Sequence, residues 1–374
     1  MTISRIHAAP FFLALSLAAC QSDPPADANL PDAPTPRDAT IPVVPPTVVS
    51  TLPLSGAMDV ARNSSASVTF SEVMRASSLG ATTFTVTTGT PATLALGTVI
   101  TAGRTATFWP RTHFPSDTTF TATITTGALN AAGTPLENNH VWSFQTGNSS
   151  APTSAVGLGT ADQYVVLAES EISNIPTSII TGDVGLSPAA ARFITGFSLA
   201  PDATNVFARS AQITGRVTAS DYASPTPTTL TVAVEDMERA SLEASSRAAD
   251  ITDLGAGNVG GMSLARGVYH WDSALIVPSD ITLTGNATDV WILYVTGDLT
   301  VSSNARVVLS GGARPENVFW QVGGMVALET MAHIEGVVLS ETSITLAAGA
   351  SVRGRLLAHT SVRLEGSTLV APTE

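Results

Sequence analysis

The chain has 374 residues, 44% hydrophobic and only 13% charged, with a formal net charge of −13 at pH 7. That length suits two ordinary domains, each with its own core. The abundance of Thr, Ala, Ser, Val and Gly favours β structure with many turns, and the negative charge excludes a nucleic-acid binder, because phosphate binding needs a basic surface.

The N-terminus "MTISRIHAAPFFLALSLAAC" places Arg5 before a short apolar run that ends in small residues. The run is too short to span a bilayer comfortably and reads as a signal peptide over residues 1–19. Leu17-Ala18-Ala19-Cys20 resembles a bacterial lipobox, which implies cleavage before Cys20 and a diacylglycerol on its thiol. An ordinary signal peptide cut near Ala19 is the alternative, and it would leave a free thiol in an exported protein. Cys20 is the only cysteine, so no intrachain disulfide can form and the exported part must hold by packing and hydrogen bonds. Gln21 rather than Asp follows Cys20, which in lipoproteins of Gram-negative bacteria directs the protein to the outer membrane. The expected location is therefore the outer membrane or cell surface, or the medium after shedding, with membrane contact through the lipid alone. Residues 20–46 are rich in Pro, Ala and Asp with little to bury, and read as a semi-extended tether.

Over 47–147 the pattern is period-two strands between turns: 47–53, 65–71, 83–88, 105–110, 119–126 and 140–147. Several short strands at this spacing predict an antiparallel sandwich, with Val68 and Phe70 on one face and Trp142 and Phe144 likewise. "STLPLSGAMDVARNSSASVTFSEVMRASSL", "TATFWP" and "TGALNAAGTPLENNHVWSFQTG" resemble a bacterial Ig-like module of the SbsA type, carried by Pro53, Gly56, Asn63, Phe70, Ser71, Met74, Gly133, Trp142 and Phe144. The resemblance implies a stalk. His113 and His140 stand alone and read as surface or turn residues.

From residue 151 to the C-terminus at 374 the texture changes. From Gly267 the strands fall into triplets. One class is 268–271, 290–295, 318–322, 336–340 and 354–359; a second is 274–277, 299–302, 326–329, 344–347 and 362–365; a third is 281–285, 307–311, 333–336, 351–354 and 368–370. Three strands per turn, repeating about every twenty residues, predict a β-solenoid of triangular section. Alternation turns Leu299/Val301, Val326/Leu328, Ile344/Leu346 and Val362/Leu364 inward, with Gly285, Gly311, Gly336 and Gly354 at corners. The fold class is all-β with one long helix. That helix is expected near 228–249, with Leu230, Ala233, Met237, Ala240, Ala244 and Ala248 on one stripe. The stripe lacks the large apolar residues and basic face of a membrane-surface helix. It suits close packing on the apolar outer face of the first strand class: Ile292, Tyr294, Phe319, Val337, Leu339 and Leu357.

Catalytic chemistry is sparse. "GAGNVGG" (255–261) is formally GxGxxG, but a helix precedes it and a strand follows, opposite to a dinucleotide site, so no cofactor is expected. His270, His333 and His359 lack metal-site spacing. Asp298, Glu329 and Glu365 do not complete a catalytic set; with sequential stacking Glu329 and Glu365 lie two coils, or roughly 9–10 Å, apart. No enzyme is expected.

The outward column of the second class reads Ile276, Thr300, Ala327, Thr345 and Arg363, flanked by Ser302, Ala347, Ser343 and Ser361. Small methyl and hydroxyl groups on a rigid flat sheet can order water into a lattice. Taken alone, the pattern fits ordinary β-surface chemistry first. "LGTADQYVVLAESEIS", "ITGDVGLSPAAARFITGF", "LGAGNVGGMSLARGVYHW", "VPSDITLTGNATDVWILYVTGDLTVSSNARVVLSGGA" and "ENVFWQVGG" resemble the microbial ice-binding protein family of DUF3494 type, over about 156–372. That resemblance implies an irregular right-handed β-solenoid with a helix along one side and N-terminal segments inserted among the coils. It also implies an ice crystal as partner and an ice face on the second class that adds Ser173 and Thr195. The implied ice-binding set is Ser173, Thr195, Ile276, Thr300, Ser302, Ala327, Ser343, Thr345 and Ala347. Two departures, Ile276 in place of a small or polar residue and a charged end made by Arg363, Glu329 and Glu365, predict moderate activity. A monomer is expected. The alternative is a surface adhesin whose solenoid lacks ice affinity.

Overall fold

The structure is a computed structural model that describes residues 44–372. The signal peptide, Cys20 and most of the Pro-rich tether lie outside the described residues.

Residues 48–146 form two facing sheets. One runs in the order Val48–Leu52, Ala66–Phe70, Thr105–Pro110, Gly97–Ala102; the other Ala57–Val60, His140–Thr146, Thr119–Ile124, Phe84–Thr88, Thr93–Leu94. Pairing is antiparallel except between Ala57–Val60 and His140–Thr146. Val68, Phe70, Trp142 and Phe144 are all buried, and Phe84 joins the sheets by a ring contact to Phe108 at 6.0 Å while it packs on Trp142 of its own sheet at 5.8 Å. Three strands escape the sequence pattern. Ala57–Val60 is bent by Asp59 at φ 54, Thr93–Leu94 is only a bridge-length edge, and Gly97–Ala102 is an edge whose side chains are mostly half-buried.

Beyond this module the chain winds into stacked coils, each contributing a strand to three sides. The first side holds Gly267–Trp271, Trp291–Val295, Val318–Val322 and the C-terminal halves of His333–Ser340 and Ser351–Ala358, all parallel and in register. The third side begins with Ser263–Leu264, Ile281–Thr284 and Val307–Ser310 and continues through the N-terminal halves of those two long strands to Thr368–Val370. Alternation decides the interior, because inward residues of all three sides share one core. Trp271, Trp291 and Trp320 are buried there, and each indole N–H donates to a backbone carbonyl: Leu254, Leu264 and Glu335 respectively, at 2.8, 3.2 and 3.0 Å. At the corner between third and first sides Gly336 has φ +112, and a Cβ on Gly354 would sit 1.7 Å from the Gly336 carbonyl oxygen. Only glycine fits that stack.

The coils from residue 263 onward stack in chain order. The N-terminal coil is not interleaved among them, contrary to the expectation from resemblance. It stacks beyond the last C-terminal coil: Val166 on Leu356, Ile172 on Val362, Ile180 on Leu369. A further layer, Asp183–Leu186, Ile194–Thr195 and Ile213–Ala219, follows it. This placement pairs the edges of the last C-terminal strands.

The helix then has to return along the stack from Ala219 at one end to Ile251 at the other. It spans Thr226–Ser246, starting two residues earlier and stopping three earlier than the sequence pattern suggests. Pro227 occupies its first turn, where a missing N–H costs nothing, and extended backbone at Arg247 ends it, so Ala248 falls outside the stripe. Twenty-one residues make about 31 Å of helix. The eight steps between the nine first-side strands make about 38 Å, so helix and flanking residues match the length of the stack. Leu230, Ala233, Met237, Ala240 and Ala244 pack on Ile292, Phe319, Val337, Leu339 and Leu357. Tyr294 instead stays half-exposed and stacks on His270 at 4.4 Å.

Two polar anchors hold this arrangement. Asp236, on the helix, accepts from the Thr160 N–H at 2.6 Å and hydroxyl at 2.8 Å, and pairs with Arg239. Burial works to raise its carboxyl, but the Thr160 hydrogen bonds and the Arg239 guanidinium outweigh it and hold it below the usual carboxylate value. Arg247, with only 7% of its side chain exposed, pairs with Glu243, donates to the Ser154 and Ala155 carbonyls, and lies 4.3 Å over the Trp109 ring of the Ig-like module. His113, isolated in the sequence reading, reaches Asp250 at 3.5 Å across the same junction, and Asn63 exchanges two 2.8 Å hydrogen bonds with the Ala151 backbone. A crevice of about 500 Å³ between Pro53, Trp109, Arg247 and Val268 completes it. The two modules are therefore docked, not merely strung together.

Because the folded Asp236 carboxyl is depressed, its contribution is complete above the unfolded value of about 3.9 and fades as pH falls through the lower folded value. Asp236→Asn should lower the melting temperature at pH 7, with the gap to the parent narrowing at pH 3; thermal unfolding at both pH values checks this. Arg247→Ala strips a buried cation from its acceptors and should cost on the order of 2–3 kcal/mol. It should also open residues 148–155 to limited proteolysis, with the parent resistant.

Candidate functional site

The second side is a seven-stranded parallel sheet in the order Ile194–Thr195, Glu171–Ile175, Ser361–Glu365, Ile344–Leu346, Val326–Leu328, Leu299–Val301, Leu275–Val277. Its inward residues, Leu275/Val277 through Val362/Leu364 and Ile172, are essentially fully buried. That burial fixes register, because a one-residue slip would turn every one of them to solvent. The outward residues must then fall into line. Ile276 lies opposite Thr300, Thr300 opposite Ala327, Ala327 opposite Thr345, Thr345 opposite Arg363, Arg363 opposite Ser173, and Ser173 opposite Thr195. Neighbours in this column are about 4.8 Å apart.

The flanks follow from the same register. Ser302 and Ala347 stand on one side, their N–H groups bonded to Val277 and Leu328 of the preceding coils at 3.0 and 2.9 Å. Ser343 stands on the other. All the expected face residues therefore share one side of the solenoid, including Ser173 and Thr195 from the N-terminal coils. Sequence reading missed Ile175, Phe193 and Met325, all exposed at the flanks. A period-two run, "EISNI", carried the signal for Ile175, but its place in the stack depended on pairing with residues 361–365.

The charges are not gathered at one end, as the sequence suggested. The exposed Asn258, bridged to Ile276, adds a rung at the other end, and Arg363 is sixth of eight in the column, because the N-terminal coils extend the sheet past it. Its Nε and Nη2 donate to Glu365 Oε1 at 3.1 and 2.9 Å. Glu329 accepts from the Ser303 N–H and hydroxyl at 2.9 and 3.0 Å, and Asp298 from the Met325 N–H at 2.8 Å, so both carboxylates brace turns between coils. Glu329 and Glu365 do lie two coils apart, yet each is committed to its own partner and no acid–base pair faces a shared cleft.

The remaining candidates are structural. His270 pairs with Asp272 and His333 with Glu335, each at 3.2 Å. His359 lies 3.4 Å from Glu341, which accepts from Ser241 and Gln321 where the helix meets the corner of the sheet. Burial pushes the nearby Glu169 carboxyl up, offset by His359 and reinforced by Glu238 and Glu341. His140 packs against Trp142 at 5.8 Å. Among the described residues no three His, Cys, Asp or Glu converge as metal ligands. Residues 255–261 form a loop with a short 3-10 turn between two strands, with no helix N-terminus after it.

Against known proteins, residues 166–370 match the ice-binding-like family and residues 42–146 a bacterial Ig-like domain family. An ice-binding protein of Leucosporidium sp. (strain AY30) is 40% identical over 219 residues, covering 58% of this chain and 84% of the relative. Ice-binding protein K1-A of Typhula ishikariensis is 43% identical over 196 residues, covering 52% and 80%. The solved structure of an ice-binding protein from an Arctic yeast, described for its antifreeze activity, superposes with a TM-score of 0.58 at 40% identity, covering 59% of this chain and 95% of that one. The matching family consists of ice-binding proteins, which are not enzymes. With a family model spanning more than half its length, and a second side built as one in-register parallel sheet, this chain belongs to the ice-binding-like family.

Proposed function

We propose that the protein binds ice crystals through the second side of its solenoid, with Ser173, Thr195, Ile276, Thr300, Ser302, Ala327, Ser343, Thr345 and Ala347 as the contact set. The observation that carries this reading is the outward column, held in register by the buried residues beneath it. Side chains fixed by a packed core lose little further entropy on meeting a solid. Methyl groups of Thr, Ala and Ile exclude water from direct bonding while the Thr and Ser hydroxyls anchor it, so water over this sheet is held at the coil spacing and can merge with a growing crystal. Helix and Ig-like module contact the first side and the helix terminus, so among the described residues neither covers the second side.

The reading extends to presentation. The solenoid is right-handed, as nearly all parallel crossover connections are. Cys20 carries a lipid, residues 20–46 form a tether and the docked Ig-like module a rigid spacer, so a monomer displays its ice face from the outer membrane or, once shed, in solution. Its activity is growth shaping and recrystallisation inhibition with modest freezing-point depression.

Ice-affinity partitioning of the protein beside Thr300→Tyr/Thr345→Tyr tests the face. The parent should enter the ice and the variant, its two rings standing above the sheet, should remain in the liquid. Entry of both would move the contact to another side; exclusion of both, with folding intact, would replace ice binding by a surface-adhesin role.

A further inference from the structure

Within the outward column, which the exposed Asn258 bridged to Ile276 extends to eight members, Arg363 is the one charged residue; Asn258, Ile276, Thr300, Ala327 and Thr345 precede it and Ser173 and Thr195 follow it. Its side chain is 54% exposed, and its guanidinium is held across its own coil by two hydrogen bonds to Glu365. The other carboxylates at this side differ in kind. Asp298 and Glu329 are turned into backbone N–H groups and brace the turns, and Glu171 stands at the rim opposite Ser361. Among the described residues the Arg363 and Glu365 side chains hydrogen-bond each other and no turn N–H.

We infer that the Arg363–Glu365 pair is the element that limits the ice face, dividing it into two patches. One is a five-coil patch over Asn258, Ile276, Thr300, Ala327 and Thr345, the other a two-coil patch around Ser173 and Thr195. The inference rests on the reading of this side as the ice-contact surface. An ice plane is flat, and an arginine head stands above the threonine methyls beside it. Guanidinium and carboxylate orient water by charge-assisted hydrogen bonds, in directions set by the ion pair and not by the sheet. Thr345 and Ser173 are one coil away, about 4.8 Å on either side, so that water overlaps theirs. Five coils span about 19 Å and eight about 34 Å, so the pair cuts the longest uninterrupted contact to a little over half.

The test compares the parent with Arg363→Thr/Glu365→Ala, Arg363→Ser and Arg363→Lys by ice-affinity partitioning and by thermal hysteresis at equal concentration. Removing the pair should leave entry into ice intact and raise thermal hysteresis roughly 1.6-fold, in proportion to contiguous coil length. Arg363→Ser should give part of that gain, and Arg363→Lys, which keeps a raised charge, none. If the parent enters ice and both neutral variants match it or fall below it, the inference is overturned while the ice face stands. Should neither the parent nor the neutral variants enter ice, the reading of the face falls and the inference with it. Arg363→Ser disturbs only the pair itself, so it decides the matter even where the double variant folds poorly.

Discussion

Parallel pairing in register from coil to coil is the constraint from which the rest of this structure follows. Each coil places its apolar residues inward on three sides, and the shared core punishes any slip by exposing them all. Once register is fixed, outward residues separated by some twenty positions in the chain become neighbours at about 4.8 Å. A surface feature then becomes a matter of what the chain writes at one position per coil. Along the second side it writes Ile276, Thr300, Ala327 and Thr345.

The same stacking explains the helix and the charged residues. The chain enters the stack beyond its C-terminal coil and must travel to the opposite end before winding back, which sets a helix of about the length of the stack. An alanine stripe lets that helix lie close to the first side, and Asp236 and Arg247 tie it to Thr160 and to Trp109. Acidic residues on the second side mostly serve corners: Asp298 and Glu329 satisfy backbone donors that turns between coils would leave open. Arg363 and Glu365 satisfy each other, which is why they bear on the surface and not on the fold.

The three strand classes from Gly267 onward were legible because each coil carries its own period-two alternation and turn residues. Inward pairs such as Leu299/Val301 could be read without knowing the neighbours. The Ig-like module was legible wherever alternation was strong, as at Val68 and Phe70, and illegible at the edge Gly97–Ala102, whose side chains are half-buried. Long-range order was not legible. Nothing local to "EISNI" says that Ile172 pairs with Val362, about 190 residues away, so Arg363 looked terminal when it is interior. His113 likewise looked isolated, because its partner Asp250 belongs to the other module. Ser173 and Thr195 came from family resemblance, and the register puts them in the same column as Thr345 and Arg363.

The measurement that tests the central claim most directly is a high-resolution crystal structure with its surface water. Ordered water should lie in rows over the second side, repeating at the coil spacing above Ile276, Thr300, Ala327 and Thr345 and broken above Arg363. Rows absent there, or found instead over the third side around Thr282 and Val308, would contradict it.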